Sequence, residues 1–310
     1  MAFAIGWGSM PEVSVLIPLY GRRRGCDLPA VLQAWLGQTL DTEIIIATDG
    51  ILPADVADAA SVSRAVRVVR TDAAVGAPGL LRNLAAGHAH ARVLYLSDAD
   101  VLPLGADFLT RALALADGQV IGQPWMYRLT GSAHLSQSLR CQSSLRYQSP
   151  GPGRYCFVYA ETDGSLHPSG GERFRWRQST GTEILAVFPP PGHRAPGLSD
   201  RLQWVAPFHW GGLLLTRQVF EEVGGYCRRY QGWGFEDDDL LVKVEGRCRV
   251  VRAWQIDPTL SCLHFEHPRV RLDAEDSKAN AARYTDRVAT GAATMIAEDI
   301  VAAQEGRAGQ

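Results

Sequence analysis

No apolar run in this 310-residue chain approaches 18 residues, so the sequence offers no membrane span. The N-terminal MAFAIGWGSMPE lacks a basic segment followed by a long apolar core, and an export signal is not expected. Its six cysteines, Cys26, Cys141, Cys156, Cys227, Cys248 and Cys262, form no CxxC pair and no metal-finger spacing. A reducing compartment follows as the simpler expectation, and with it a soluble cytoplasmic protein. Charge of one sign is also missing: the formal net charge is −2, which excludes the basic surplus of a nucleic-acid binder. Lysine is scarce beside arginine. The triplet Arg22-Arg23-Arg24 reads as a solvated loop or as a contact to phosphate or another anionic surface. No internal repeat and no sharp composition break divides the chain, so a single domain over 1–310 is expected, and a hydrophobic fraction of 46% excludes disorder.

What is present is alternation of buried strands and helices. Val13–Leu19 (VSVLIPL) is apolar and β-branched, which suits a strand covered on both faces, with Pro18 at its end and Tyr20 opening a loop. Leu28–Gln38 has helical spacing, and Glu43–Ala47 reads as a second buried strand ending in Thr48-Asp49-Gly50. The pattern continues with a helix over Val56–Ala65, a strand over Val66–Arg70, a helix over Gly79–His90, a strand over Val93–Ser97 and a helix over Phe108–Ala116. This predicts an α/β fold with a mostly parallel central sheet flanked by helices. Ligands of such sheets lie beyond the carboxyl ends of the strands, where this chain carries Asp49 and Asp98-Ala99-Asp100.

Residues 118–206 mix glycine and proline clusters with arginine and aromatics without a clear period, as expected of a variable acceptor loop or lid. Regularity returns at Phe208–Thr216, where His209 and Trp210 lead through Gly211-Gly212 into Leu213-Leu214-Leu215, and a helix is expected over Arg217–Val223. Short strands are expected at Arg249–Trp254 and Ser261–His264, and the alanine-rich tail over 273–310 has helical propensity.

The most unusual stretch is Gly232–Leu240 (GWGFEDDDL), where Glu236, Asp237, Asp238 and Asp239 follow two glycines flanking Trp233. Adjacent like charges repel, so a fold retains them for a helix N-terminus, a cation or a chemical task. Capping of a helix over Asp237–Glu245 is one reading. A polar ligand's site is the other, because glycines admit close backbone approach and the indole supplies a flat wall. A helix start would keep these acids ionised. Asp98 and Asp100, on one side of an extended segment, are oxygen ligands suited to Mg²⁺ or Mn²⁺. His264 and His267 flank Phe265-Glu266, and at a strand followed by Pro268 one of the two is expected to join Asp100 at a metal.

Six ordered motifs, SVLIPLY, IIIATDG, VGAPGLLRNLAAG, YLSDAD, WGGLLLTRQVFEEVGGY and GWGFEDDDL, together resemble the nucleotide-sugar-dependent glycosyltransferases of the GT-A fold. The N-terminal half, 13–109, is similar to family 2. GWGFEDDD, within 207–268, is similar to the acidic motif of the β-1,4-galactosyltransferase and chondroitin-polymerase-like branch. The resemblance implies a metal-dependent inverting hexosyltransferase that takes a UDP-sugar or other nucleoside-diphosphate sugar to a carbohydrate, glycoside or small-molecule acceptor. By it, Asp49 would contact the nucleotide base, Arg82 would lie near the nucleotide, and Asp98 would lie near the ribose. Asp100 would bind Mn²⁺ or Mg²⁺ on the diphosphate, with Asp98-Ala99-Asp100 as the DXD motif and HFEH as the segment of the histidine ligand. Pro18, Tyr20 and Ala99 belong to the donor-side motifs. Trp210, Gly211 and Gly212 would lie near the donor sugar, and Trp233 near the donor–acceptor junction. Asp237 would be the base, with Glu236 and Asp238 as partners of sugar hydroxyls. The base-contact motif departs from the family in reading Thr-Asp-Gly where Asp-Asp-Gly is commoner.

Two other readings compete. A non-haem iron oxygenase would use His264-x-Glu266 within a two-His-one-carboxylate triad, and a non-catalytic sugar-nucleotide-binding protein could share the same fold.

Overall fold

The computed structural model describes residues 10–20, 28–50, 54–61, 63–71, 76–130, 156–160, 166–170, 172–177, 183–188, 205–265 and 274–308. The Arg22–Arg24 triplet, Glu266 and His267 fall outside these residues.

The first half follows the predicted alternation: β1 (Val13–Leu19), α1 (Leu28–Leu36), β2 (Thr42–Thr48), α2 (Ala54–Ser61), β3 (Val66–Arg70), α3 (Pro78–His88), β4 (Val93–Leu96), β5 (Val101–Pro103), α4 (Phe108–Ala116) and β6 (Val120–Gly122). A seven-stranded sheet results, in the order β13-β6-β12-β4-β1-β2-β3, with β12 (Leu213–Thr216) and β13 (Val250–Arg252) supplied from later in the chain. β12 is antiparallel to β4 and β6, and the other neighbours run parallel, so the sheet is mixed and mostly parallel.

Both faces are covered, as the continuous apolar strands required. Val13, Val15 and Ile17 enter one core with Val31, Leu32 and Trp35 of α1, whereas Leu16 enters a second core with Leu81 and Ala85 of α3. This mixed, mostly parallel and doubly covered sheet is not the antiparallel double-sheet barrel expected of an iron oxygenase.

A second sheet, in the order β5-β14-β7-β8-β9, uses β7 (Trp125–Thr130), β8 (Cys156–Ala160), β9 (Leu166–Gly170) and β14 (Ser261–Phe265). β10 (Glu172–Arg177) and β11 (Glu183–Phe188) make a separate antiparallel pair. The expectation of an irregular 118–206 is thus corrected: β6 and β7 belong to the two main sheets. Their signal was hidden because Gly122, Gln123 and Pro124 break any period between them. The strand expected over Arg249–Trp254 also stops early, since Ala253–Ile256 turns into a short helix, α7, and buries Trp254.

The remaining helices are α5 (Arg217–Glu222), α6 (Glu236–Arg247), α8 (Ala274–Thr290) and α9 (Ala292–Ala308). Helices α8 and α9 pack on α6 through buried charges. Arg287 donates to Asp239 at 2.6 Å and to Asp299 at 2.6 Å, and Lys243 donates to Asp299 at 2.5 Å. Among the described residues no helix is long and apolar enough to cross a membrane.

Candidate active site

The carboxyl ends of β1, β2 and β4 lie side by side, and Arg82 joins the turn after β4 to the start of α6. Pro18 pairs in register with Ala47, so the ends of β1 and β2 lie level, and Tyr20 packs against the α3-side core. Asp49, just past β2, accepts the backbone N–H of Gly76 at 2.7 Å and ties that edge to the entry of α3.

Beyond β4 the chain turns at Ala99-Asp100, so Asp98 and Asp100 do not share one side of an extended segment as the spacing implied. They take different partners instead. Arg82 donates to Asp98 Oδ1, and His209 Nε2 lies 3.0 Å from Asp98 Oδ2. Burial opposes ionisation of Asp98, but Arg82 and His209 hold its carboxyl well below the usual range. A side chain at Gly212 would place Cβ 2.6 Å from the His209 ring, so the bare glycine makes room for the imidazole.

Asp100 faces β14. The antiparallel register sets His264 opposite Val101, Phe265 N–H donates to the Asp100 carbonyl at 2.9 Å, and His264 Nε2 stands 3.7 Å from Asp100 Oδ2. Two ligands at right angles around an ion with bonds of about 2.1 Å are separated by roughly 3 Å, so the pair can close on one small divalent cation with slight adjustment. Among the described residues no group of three His, Cys, Asp or Glu side chains converges, and Asp100 with His264 forms an open, two-ligand arrangement.

The acidic run is not a capping device. Gly232, Gly234 and Phe235 have φ of 63°, 114° and 68°, and Phe235 occupies the N-cap position without a side-chain cap bond. A left-handed phenylalanine is strained, and its ring is held 5.5 Å from that of Tyr284 on α8. The four acids then diverge. Glu236 is buried and accepts the Gly234 N–H at 2.7 Å; burial and the neighbouring Asp237 push its carboxyl up to about 8. Asp238 is pushed up to about 7, by burial and by Asp237; the Trp210 indole reaches toward it without completing a hydrogen bond. The helix start therefore does not keep all four acids ionised, because desolvation outweighs the helix dipole for two of them. Asp239 is fully buried and belongs to the Arg287 network.

Asp237 has 19% of its side chain exposed. Its Oδ1 accepts from the Tyr226 hydroxyl at 2.9 Å and from Arg82 at 3.2 Å. Its Oδ2 lies against Gly211, where an added Cβ would come within 2.7 Å. Trp210, adjacent, ends an aromatic stack with Phe208 and Trp254, at centroid distances of 5.4 and 5.6 Å. Trp233 is 44% exposed at the mouth of the acidic loop, and Ala99 is buried in the turn.

Arg82 is engaged by the protein itself. Its side chain is 1% exposed and its donors go to Ser97, Asp98 and Asp237, because α3 aims it inward under the sheet end. Tyr226 and His209 were not legible as site residues. The only hints were the small residues beside them: a Cβ on Gly79 would meet the Tyr226 ring at 2.8 Å, as one on Gly212 would meet His209.

Residues 203–268, spanning β12 through His264, match the family model of the N-terminal domain of galactosyltransferase. No curated protein matches the chain by sequence. Among solved structures, GalNAc-T7 with UDP, GalNAc and Mn²⁺ superposes with a TM-score of 0.56 at 15% identity, covering 89% of this chain and 48% of that one. The mannosyltransferase PcManGT from Pyrobaculum calidifontis, in complex with GDP-Man and Mn²⁺, gives 0.47 at 13% identity over 89% and 62%, and S. aureus TarS gives 0.43 at 14% over 78% and 57%. The chain thus spans about half the length of GalNAc-T7 and less than two thirds of the other two. With its mixed, mostly parallel sheet and a galactosyltransferase-type segment at 203–268, the chain has the GT-A glycosyltransferase fold.

Proposed function

We propose that this protein is an inverting, Mn²⁺- or Mg²⁺-dependent glycosyltransferase that moves a hexose from a nucleoside-diphosphate sugar, in the first instance a UDP-sugar, to a hydroxyl of a carbohydrate, glycoside or small-molecule acceptor. The observation that carries this reading is the attitude of Asp237. One oxygen is fixed by Arg82 and Tyr226, and the other lies against the bare Gly211 beside Trp210. A carboxylate anchored in this way can take the proton of an incoming acceptor hydroxyl without swinging away.

The other residues divide the remaining work. Asp100 and His264 would hold the divalent cation, which would supply positive charge against the diphosphate of the donor. Asp49 keeps acceptor capacity for a donor on the nucleotide base, since one of its oxygens is engaged by Gly76. Asp98 retains lone pairs for a ribose hydroxyl beside its bonds to Arg82 and His209. Pro18, Tyr20 and Ala99 line the nucleotide end. Gly211 and Gly212 admit the donor sugar close to the backbone, and Trp210 and Trp233 offer it apolar walls. Glu236 and Asp238, pushed toward their neutral forms, can donate as well as accept hydrogen bonds to sugar hydroxyls. A single base opposite a leaving diphosphate gives direct displacement with inversion.

The test is nucleotide release from a panel of UDP-, GDP- and other nucleoside-diphosphate sugars, with and without Mn²⁺, across a library of sugar, glycoside and aglycone acceptors. Metal-dependent, acceptor-stimulated release of the nucleotide is expected. Metal-dependent binding of nucleotide with no turnover on any acceptor would favour the non-catalytic reading.

A further inference from the structure

Arg82 touches both Asp98 and Asp237. It sits one turn into α3, 1% exposed, at the bottom of the site. Nη2 donates to Asp98 on the β4 turn, and Nη1 donates to Asp237 on α6 at 3.2 Å. Nε and Nη2 also donate to the Ser97 carbonyl at 3.3 and 3.1 Å, which sets the plane of the guanidinium. The Tyr226 ring lies against it, with the guanidinium carbon 5.4 Å from the ring centroid, and the Tyr226 hydroxyl completes the triangle by donating to the same Asp237 oxygen. Gly79, one turn earlier on α3, is what lets the tyrosine ring approach.

We propose that Arg82 is a positioning residue that locks Asp98 and Asp237 against one another, so that the turn carrying the donor-side acids and the helix carrying the base move as one unit. The inference rests on the glycosyltransferase reading for its catalytic consequence, but the lock is a property of the folded chain. Two carboxylates from segments 139 positions apart in sequence repel when nothing lies between them. A planar fork reaches both at once, and the point charge of a lysine does not. Burial works against the charge, yet the Tyr226 oxygen, Asp237 and Asp98 outweigh it and hold the guanidinium above its ordinary range. With its donors spent inside the protein, Arg82 has little left for a nucleotide phosphate.

A three-way mutant box tests the lock without any need for turnover. Asp98→Asn, Asp237→Asn and the double variant are melted in the wild-type background and again with Arg82→Gln. With Arg82 present, the double variant should differ from the sum of the single changes by about 3 °C or more, because removing the second carboxylate strands a buried cation. With Arg82→Gln only the direct repulsion between the two carboxylates is left, and the non-additivity should fall by at least half. Persistence of the full coupling without Arg82, or strict additivity with it, overturns the proposal. Should Arg82→Gln fail to fold, Arg82→Lys replaces it in the box, and the coupling should then fall by at least half.

The catalytic consequence is read on the intact protein with Mn²⁺ and donor. Arg82→Lys and Tyr226→Phe should lower kcat by about 10²- and 10-fold respectively, with donor KM changed less than threefold. Added methylguanidinium should restore part of the kcat of Arg82→Ala. A rise in KM with kcat unchanged would make Arg82 a nucleotide ligand and overturn the proposal. An inactive wild type would instead count against the glycosyltransferase reading, and the melting box would still decide the lock.

Discussion

Asp237 and Asp239 stand two residues apart in one helix turn and have different surroundings, so on the proposed function the same Asp→Asn change should separate catalysis from stability. In Asp237→Asn the side chain keeps its shape, Arg82 keeps Asp98 and the Ser97 carbonyl, and the mutual repulsion with Glu236 and Asp238 is relieved. Stability should change by less than about 1 kcal/mol. Loss of a positioned base should lower kcat by about 10²- to 10⁴-fold, or roughly 3–5 kcal/mol of barrier, with donor affinity nearly intact. Asp239 is fully buried, accepts two bonds from Arg287 at 2.6 and 3.2 Å and one from Tyr230 at 3.1 Å, and lies 3.8 Å from Lys243. Making it neutral leaves Lys243 and Arg287 to share Asp299, with the half-exposed Glu298 on Arg287 besides, and breaking such a network costs about 3–5 kcal/mol. At roughly 2 °C per kcal/mol for a chain of this size, Tm should fall by about 6–10 °C. Steady-state kinetics and thermal melts on both variants decide the matter. Near-normal turnover in Asp237→Asn would refute the assignment of the base, and an unchanged Tm in Asp239→Asn would refute the structural role of the network.

Three further outcomes are expected. Gly211→Ala should cut kcat by at least 10-fold while leaving Tm within a few degrees, because its methyl would meet Asp237 Oδ2 at 2.7 Å; kinetics and a melt check it. Asp100→Ala should abolish Mn²⁺-dependent donor binding, and His264→Ala should weaken it about 10-fold or more, as read by isothermal titration, since these two side chains approach within 3.7 Å. Glu236 and Asp238 are pushed from ordinary values of 4.5 and 3.8 to about 8 and about 7, so the folded state holds their protons more tightly than the unfolded chain does. Their contribution therefore falls as pH rises from about 5 to 8. Melting curves across that window should show a downward slope that Glu236→Gln flattens.

The sheet was legible because its information is local. VSVLIPL and EIIIA are apolar except for Ser14 and Glu43, which hydrogen-bond to each other, and a strand of that kind needs cover on both faces whatever the rest of the chain does. The strand ends then advertised Asp49, Asp98 and Asp100, and the unusual cost of GWGFEDDDL marked the acidic helix. The division of labour among its four acids was not legible. Adjacent carboxylates are alike in sequence, and only packing decides that Asp239 meets Arg287 from α8, that Asp237 meets Tyr226, and that Glu236 folds back on Gly234. Burial, which no local pattern reports, overrode the helix dipole for Glu236 and Asp238. The same holds for Arg82: its motif announced an arginine near the strand ends, but whether a guanidinium faces a ligand or its own protein depends on what lies at 3 Å. That is set by contacts as far apart in the chain as Arg82 and Asp237. Sequence determined the sheet and the acids at its edge, and tertiary packing decided which partners each acid meets.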